Sequence, residues 1–283
     1  MLHSIETRGL RLAVQSFGNP ADPALLLVMG ATASMLDWPE ALCDGLAARG
    51  FHVIRYDHRD TGLSTTFPPG AGGYAVEDLR DDLIAVLDGL GIARAHVAGM
   101  SLGGYLAQMA AVSHPGRVAS LVLIASEPLG WDGAALPHMS DAVIAHFGVL
   151  GALDWANRAA IRAFNLGLAE LCAGSGAPFD AEAAGRAIDA VLARSPAIAS
   201  AFNHAAMAGH QDWSGAFRRI SQPVLVIHGA EDPVLPLANG QALAEAIPGA
   251  RIEVLAGVGH ELPARILPLI EARIAGFLAA LPA

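Results

Sequence analysis

His96-Val97-Ala98-Gly99-Met100-Ser101-Leu102-Gly103-Gly104, followed by the apolar stretch 105–112, decides how the rest of the chain is read. Strand formers stop at a glycine, a serine occupies the centre of G-x-S-x-G, and a helical apolar pattern starts at once. That combination is a nucleophile elbow, a strand-to-helix turn that pushes the serine side chain into open space. Gly99 and Gly103 bring no β-carbon to the flanks of the strained residue, so the turn can be that sharp. The helix that follows aims its N-terminal amides and positive dipole end at negative charge developing beside Ser101 Oγ. G-x-S-x-G alone is a common turn sequence, and the flanking strand and helix are what give it meaning.

Outward from the elbow, residues 10–17, 24–29, 51–56, 121–125, 223–228 and 251–255 read as strands, several of them continuous apolar runs of the kind buried on both faces. Between them, helices are expected at 39–49, closed by Gly50, at 76–90, closed by Gly91, at 237–246 and at the C-terminal end. The alternation predicts an α/β fold with a mostly parallel central sheet and helices on both faces. It breaks after Ser126-Glu127-Pro128. From 129 to 219 no strand signal occurs, and helical stripes are interrupted by Gly174-Ser175-Gly176-Ala177-Pro178 and by Pro196. The expected organisation is a core of residues 1–128 and 220–283 with a helical cap, 129–219, inserted after the sixth strand. The cap's large side chains, Trp131, Phe147, Trp155, Phe164, Phe202, Met207 and Trp213, are expected to pack among its own helices.

The 283 residues, 53% of them hydrophobic, exclude disorder and suffice for a large core. No apolar run reaches the roughly 18 residues that a membrane span needs, and the first residues lack a basic start followed by an apolar block, so a soluble, cytoplasmic protein is expected. A formal charge of −10 argues against nucleic acid or an anionic membrane as partner. Cys43 and Cys172 fall in helical patterns far apart and suit buried thiols. All 17 basic residues are arginine. Without lysine, Schiff-base chemistry, pyridoxal phosphate attachment, a Walker A loop and serine–lysine dyads are excluded. No metal-ligand spacing occurs, and no cofactor is implied.

Two further polar residues fall at strand ends: Asp232, in Gly229-Ala230-Glu231-Asp232-Pro233, and His260, in Gly257-Val258-Gly259-His260. With Ser101 they lie at the carboxyl edge of the expected sheet, where ligand sites form in open α/β folds. Their order is nucleophile, acid, histidine. Singly, Asp232-Pro233 also reads as a turn initiator and His260 as a loop residue; the three together favour a triad. Glu127 is the rival acid, ranked below Asp232 and expected near the cap hinge or the pocket wall. Oxyanion donors are expected from the Leu102 N–H and from the loop after 24–29, where Ala31 is the choice and Gly30 the fallback. Gly30, Trp38, Met100 and Glu127 are the expected substrate contacts. The small residues 31–34 and the cap suggest a roomy apolar pocket. In the polar loop 57–64, His58 reads as structural or at the pocket rim, and Arg59 as holding the loop through carbonyls and carboxylates.

With G-M-S-L-G, Asp57-x-Arg59-x-x-Gly62-x-Ser64, Gly229-x-x-Asp232 and Gly259-His260 in place, the chain resembles the α/β-hydrolase fold family from first strand to last helix. Val28-Met29-Gly30 and Tyr56-Asp57-His58-Arg59-Asp60-Thr61-Gly62 are similar to the branch that contains aclacinomycin methylesterase. The sequence departs from many members at Met29, where they have histidine, and at Asp60, where they have glycine. Neither removes a catalytic group, because the oxyanion donors are backbone amides. The resemblance implies an esterase acting on small-alcohol or methyl esters of a bulky apolar acid through an acyl-enzyme. Cofactor-free perhydrolysis or carbon–carbon bond hydrolysis uses the same triad and stays open as an alternative. A non-catalytic receptor on this fold is less favoured, since the triad is intact.

Overall fold

Ala24–Val28 is the apolar strand at the heart of the sheet, and all five of its residues are buried. Leu25 and Leu27 point into one core cluster while Leu26 and Val28 point into the other, so the period-2 alternation of a strand feeds two apolar layers at once. The computed structural model describes residues 1–281. In chain order its strands and helices are β1 (Leu2–Thr7), β2 (Leu10–Phe17), β3 (Ala24–Val28), α1 (Glu40–Ala48), β4 (His52–Tyr56), α2 (Val76–Gly89), β5 (Ala95–Met100), α3 (Leu102–Ser113) and β6 (Val118–Ile124). There follow α4 (Asp141–Phe147), α5 (Arg158–Cys172), α6 (Ala181–Arg194), β7 (Val224–Gly229), α7 (Ala238–Ala246), β8 (Arg251–Leu255) and α8 (Leu267–Ala279).

The eight strands form one sheet in the order β1-β2-β4-β3-β5-β6-β7-β8. The β1–β2 and β2–β4 pairs are antiparallel and the remaining neighbours are parallel. Helices α2 and α3 cover one face through Leu79, Leu83, Val86, Leu106 and Met109. On the other face α1 and α8 pack Leu42, Leu46, Ile270, Ile274 and Phe277. The mostly parallel sheet and its two helical layers agree with the sequence reading.

Strand β1 escaped that reading. Only Ile5 of its six residues is buried, so the edge strand carries almost no apolar alternation. Arg8 and Gly9, both at positive φ, make the tight turn that pairs it with β2. Between β6 and β7 the chain is helical, with α4, α5, α6 and short 3₁₀ turns. Some of the aromatic side chains there pack on one another: Phe164 stacks on His146 at 4.5 Å between ring centres, and Trp155 lies 5.2 Å from Phe202. Trp213 and Met207 pack instead against the core layer of α2 and α3, and Trp213 Nε1 donates to Glu77 of α2 at 2.9 Å. Among the described residues, no helix is long and apolar enough to cross a membrane.

Candidate active site

Five described non-glycine residues have positive φ, and four of them, Thr32, Asp60, Ser101 and Ala125, lie just beyond the carboxyl ends of β3, β4, β5 and β6. Backbone strain of this kind persists only where surrounding contacts enforce it, and it marks functional edges. Ser101 has φ 53° and ψ −122°, the sharp reversal that the elbow reading requires. The glycines are required sterically. A β-carbon on Gly99 would come 2.2 Å from Gly103 O, and one on Gly103 would come 2.0 Å from Val28 O. Strand β5 and helix α3 therefore press together and against β3. Ser126 Oγ donates to the Ser101 carbonyl at 3.0 Å, which fixes the elbow from β6.

Gly30 lies against the serine: a β-carbon there would sit 3.2 Å from Ser101 Cβ and 3.8 Å from its Oγ. Among the described residues, the N–H groups of Ala31 and Leu102 have no protein acceptor. Leu102 follows Ser101 at the first turn of α3, where the dipole is positive, and Ala31 follows Gly30, which lies against the serine.

Asp232 and His260 come together from the ends of β7 and β8. His260 Nδ1 donates to Asp232 Oδ2 at 2.7 Å, while Asp232 Oδ1 accepts from the Val234 and Leu235 amides at 2.8 Å each. A carboxylate can only accept, so His260 carries a proton on Nδ1, and in the neutral ring the lone pair is then on Nε2. No hydrogen bond joins Ser101 Oγ to His260 among the described residues; such contacts often tighten only once substrate is bound. His228 stands behind the acid, its Nε2 donating to Leu235 O at 2.7 Å and 3.6 Å from Asp232 Oδ2. Burial holds its imidazole below the ordinary range.

The loop after α5 reaches the loops that carry Asp232 and His260 directly. Ser175 N and Oγ donate to Glu231, each at 2.7 Å, and Gly174 N donates to Glu261 Oε1 at 2.8 Å. Gly176 N adds a bond to Gly257 O at 2.9 Å. The stretch that reads as a mere helix interruption is thus a clasp on the neighbours of Asp232 and His260. No spacing in the sequence announces it, since Glu231 fills a variable position of Gly229-x-x-Asp232 and Glu261 lies just after the Gly259-His260 pair.

The loop after β4 is a lock. Arg59 makes a two-pronged contact with Asp82, 2.7 Å from each carboxylate oxygen, and donates to Asp78 O. Asp57 Oδ1 and Oδ2 accept from the Met35 and Leu63 amides, and Arg194 of α6 pairs with the same carboxylate. His58 is fully buried and donates from Nε2 to Met29 O at 2.9 Å, so it is structural and does not sit at a rim.

Two expected substrate contacts need correction. Trp38 is 0% exposed and packs under the sheet with α1, and Met100 is 4% exposed in the same layer, because its side chain alternates away from the site on β5. Glu127 remains exposed beyond β6, its carbonyl held by Gln108 Nε2 at 2.8 Å. A cavity of about 10 Å³ lies between Thr32, Asp60 and Ser195, and an open groove of about 250 Å³ lies between Trp155, Leu192 and Ile198. Neither borders Ser101 or His260.

The family model for the α/β hydrolase fold matches residues 23–171. The chain is 32% identical to rhodomycin D methylesterase DauP of Streptomyces sp. (strain C5) over 263 residues, 88% of each chain. It is equally similar to rhodomycin D methylesterase DnrP of Streptomyces peucetius, at 32% identity over the same share. Among solved structures, a hydrolase from Pseudomonas aeruginosa PA01 aligns with TM-score 0.75 and 29% identity, covering 99% of this chain and 98% of that one. The elbow, the sheet order and these likenesses agree: the chain belongs to the α/β-hydrolase fold family.

Proposed function

We propose that the protein is a serine esterase that cleaves small-alcohol esters, methyl esters foremost, of a bulky apolar acid through an acyl-enzyme. The observation that carries the reading is the 2.7 Å Asp232–His260 hydrogen bond at the sheet edge that also bears the strained Ser101 elbow. Family membership, with methylesterases among the relatives, supports a carboxylic ester hydrolase. In this reading His260 Nε2 takes the Ser101 proton as Oγ attacks the ester carbonyl, and Asp232 holds the imidazole in its tautomer. The N–H groups of Ala31 and Leu102 receive the oxyanion. His260 returns the proton to the departing alcohol, and water then repeats the cycle on the acyl-enzyme. We take 129–219 as the cap and the remaining residues as the core.

The acid preference is tested with an ester panel at constant leaving group. An apolar site gains roughly 25 cal/mol for each Å² removed from water, so methyl esters of bulky neutral acids should exceed methyl acetate in kcat/KM. If acetate outranks every bulky acid, the substrate class is wrong and only a general carboxylesterase remains.

A further inference from the structure

Ala31 sits between two backbone groups held by buried histidines. Before it, Met29 O accepts from His58 Nε2 at 2.9 Å. After it, Thr32 N donates to His204 Nδ1 at 3.0 Å. Thr32 is a β-branched residue at φ 65°, a conformation that L residues adopt only when something enforces it. His204 supplies that partner. Its Nδ1 accepts, so its proton is on Nε2, which donates to Arg59 O at 2.9 Å. The ring is 5% exposed, and burial lowers its pKa to about 4, which keeps Nδ1 free to accept at neutral pH. Its seat is fixed from both sides: neighbouring Asn203 donates to Asp60 Oδ2 at 2.9 Å, and Arg59 is tied to Asp82.

His204 lies in the turn Ile198–Ala206, between α6 and β7, in the insertion and not in the sheet. We propose that His204 is a positioning residue for oxyanion stabilisation: through Thr32 it fixes the β3 loop so that the Ala31 N–H stays aimed beside Ser101. The proposal rests on the serine-esterase reading and adds to it that the inserted segment completes the oxyanion hole from outside the core. Fixing the Thr32 amide orients the Ala31–Thr32 peptide, and with the Met29 carbonyl also held, the Ala31 amide between them has little freedom. Preorganised donors stabilise a transition state because they need no reorientation as charge develops.

The test compares His204→Asn with His204→Gln. The Asn oxygen replaces the Nδ1 acceptor, whereas the Gln amide replaces the Nε2 donor to Arg59 O, so both keep a polar anchor and differ in the bond to Thr32. Kinetics on the methyl-ester panel are read together with hydrogen exchange of the Thr32 amide. His204→Gln should lose on the order of 10²-fold in kcat, as removal of an oxyanion donor does, with KM nearly unchanged. His204→Asn should recover most of that loss, and Thr32 exchange should be faster in the Gln variant. A purely structural role would lower the melting temperature of both alike with kcat of the folded protein intact, and that result overturns the proposal. Equal kcat values, or Gln the faster enzyme, overturn it too. If wild type shows no Ser101-dependent ester hydrolysis, the esterase reading fails separately. The exchange rates still decide whether His204 holds the loop, with equal protection in the two variants counting against it.

Discussion

The backbone N–H of His260 donates to the carbonyl of Cys172 at 2.9 Å, so the histidine loop is attached to the C-terminal end of α5. The contact is close because Gly259 precedes the histidine. A β-carbon on Gly259 would come 2.1 Å from Cys172 O and 3.0 Å from Cys172 C, both backbone atoms that cannot swing aside.

Gly259→Ala therefore forces the end of α5 and the histidine loop apart. Overpacking of this kind costs about 1–3 kcal/mol. A shift of about 1 Å in a catalytic group costs on the order of 10²-fold in turnover. Melting temperature and kcat should both fall; a variant with wild-type kcat would show that the loop does not depend on this contact.

Ser101 carries a side chain at φ 53°, so the usual preference of alanine over glycine should reverse at this position. Ser101→Gly should be more stable than Ser101→Ala by about 1 kcal/mol, while both lose ester hydrolysis by several orders of magnitude, about 10⁶-fold where a triad serine is removed. Denaturant melts of the two variants give the order. Labelling of a residue other than Ser101 by a serine-directed phosphonate would reassign the nucleophile.

Asp232 and Glu127 are separated by their surroundings. Asp232 is buried and bonded to His260, whereas Glu127 is exposed with its backbone held by Gln108. Asp232→Asn should misorient the imidazole tautomer and cost about 10⁴-fold in kcat. Glu127→Gln should cost far less. Equal losses would move the acid.

Burial lowers the imidazoles of His58 and His204 to about 4 from 6.5. Between those values the unfolded chain binds more protons than the folded one, so these groups contribute stability that falls as pH falls from about 6.5 to about 4 and then levels off. One such histidine accounts for roughly 3 kcal/mol across the whole window. Asp57 and Asp82, raised by burial, act in the opposite direction. The readout is therefore the difference between wild type and His58→Leu: the variant's melting temperature should decline less steeply over this range. An unchanged slope would mean that the buried histidine takes up no proton on unfolding.

Much was legible because it is local. The apolar runs 24–28, 224–227 and 121–124 declare strands buried on both faces, and the Gly99–Ser101–Gly103 spacing declares a sharp strand-to-helix reversal whatever surrounds it. Helix ends at Gly50 and Gly91 are likewise written in single residues, both at positive φ. Strand β1 was not legible, because an edge strand with one buried residue has no periodicity to read. Trp38 and Met100 lie near the β3 loop and the elbow in sequence, yet which way a side chain faces depends on strand and helix phase, and both are buried in the core layer.

By itself, then, the sequence determined the α/β alternation, the elbow, and the order of Ser101, Asp232 and His260 along the chain, since burial patterns and turn chemistry act over a few residues. Only the tertiary structure decided that His260 faces Asp232 at 2.7 Å, that Glu231 takes the amide of Ser175 and Glu261 that of Gly174, and that His204 reaches Thr32 across 172 residues. Those contacts join segments far apart in the chain. They depend on where packing of the two core layers leaves each loop, and a hydrogen bond made at the meeting point of two loops has no spacing in the sequence to announce it.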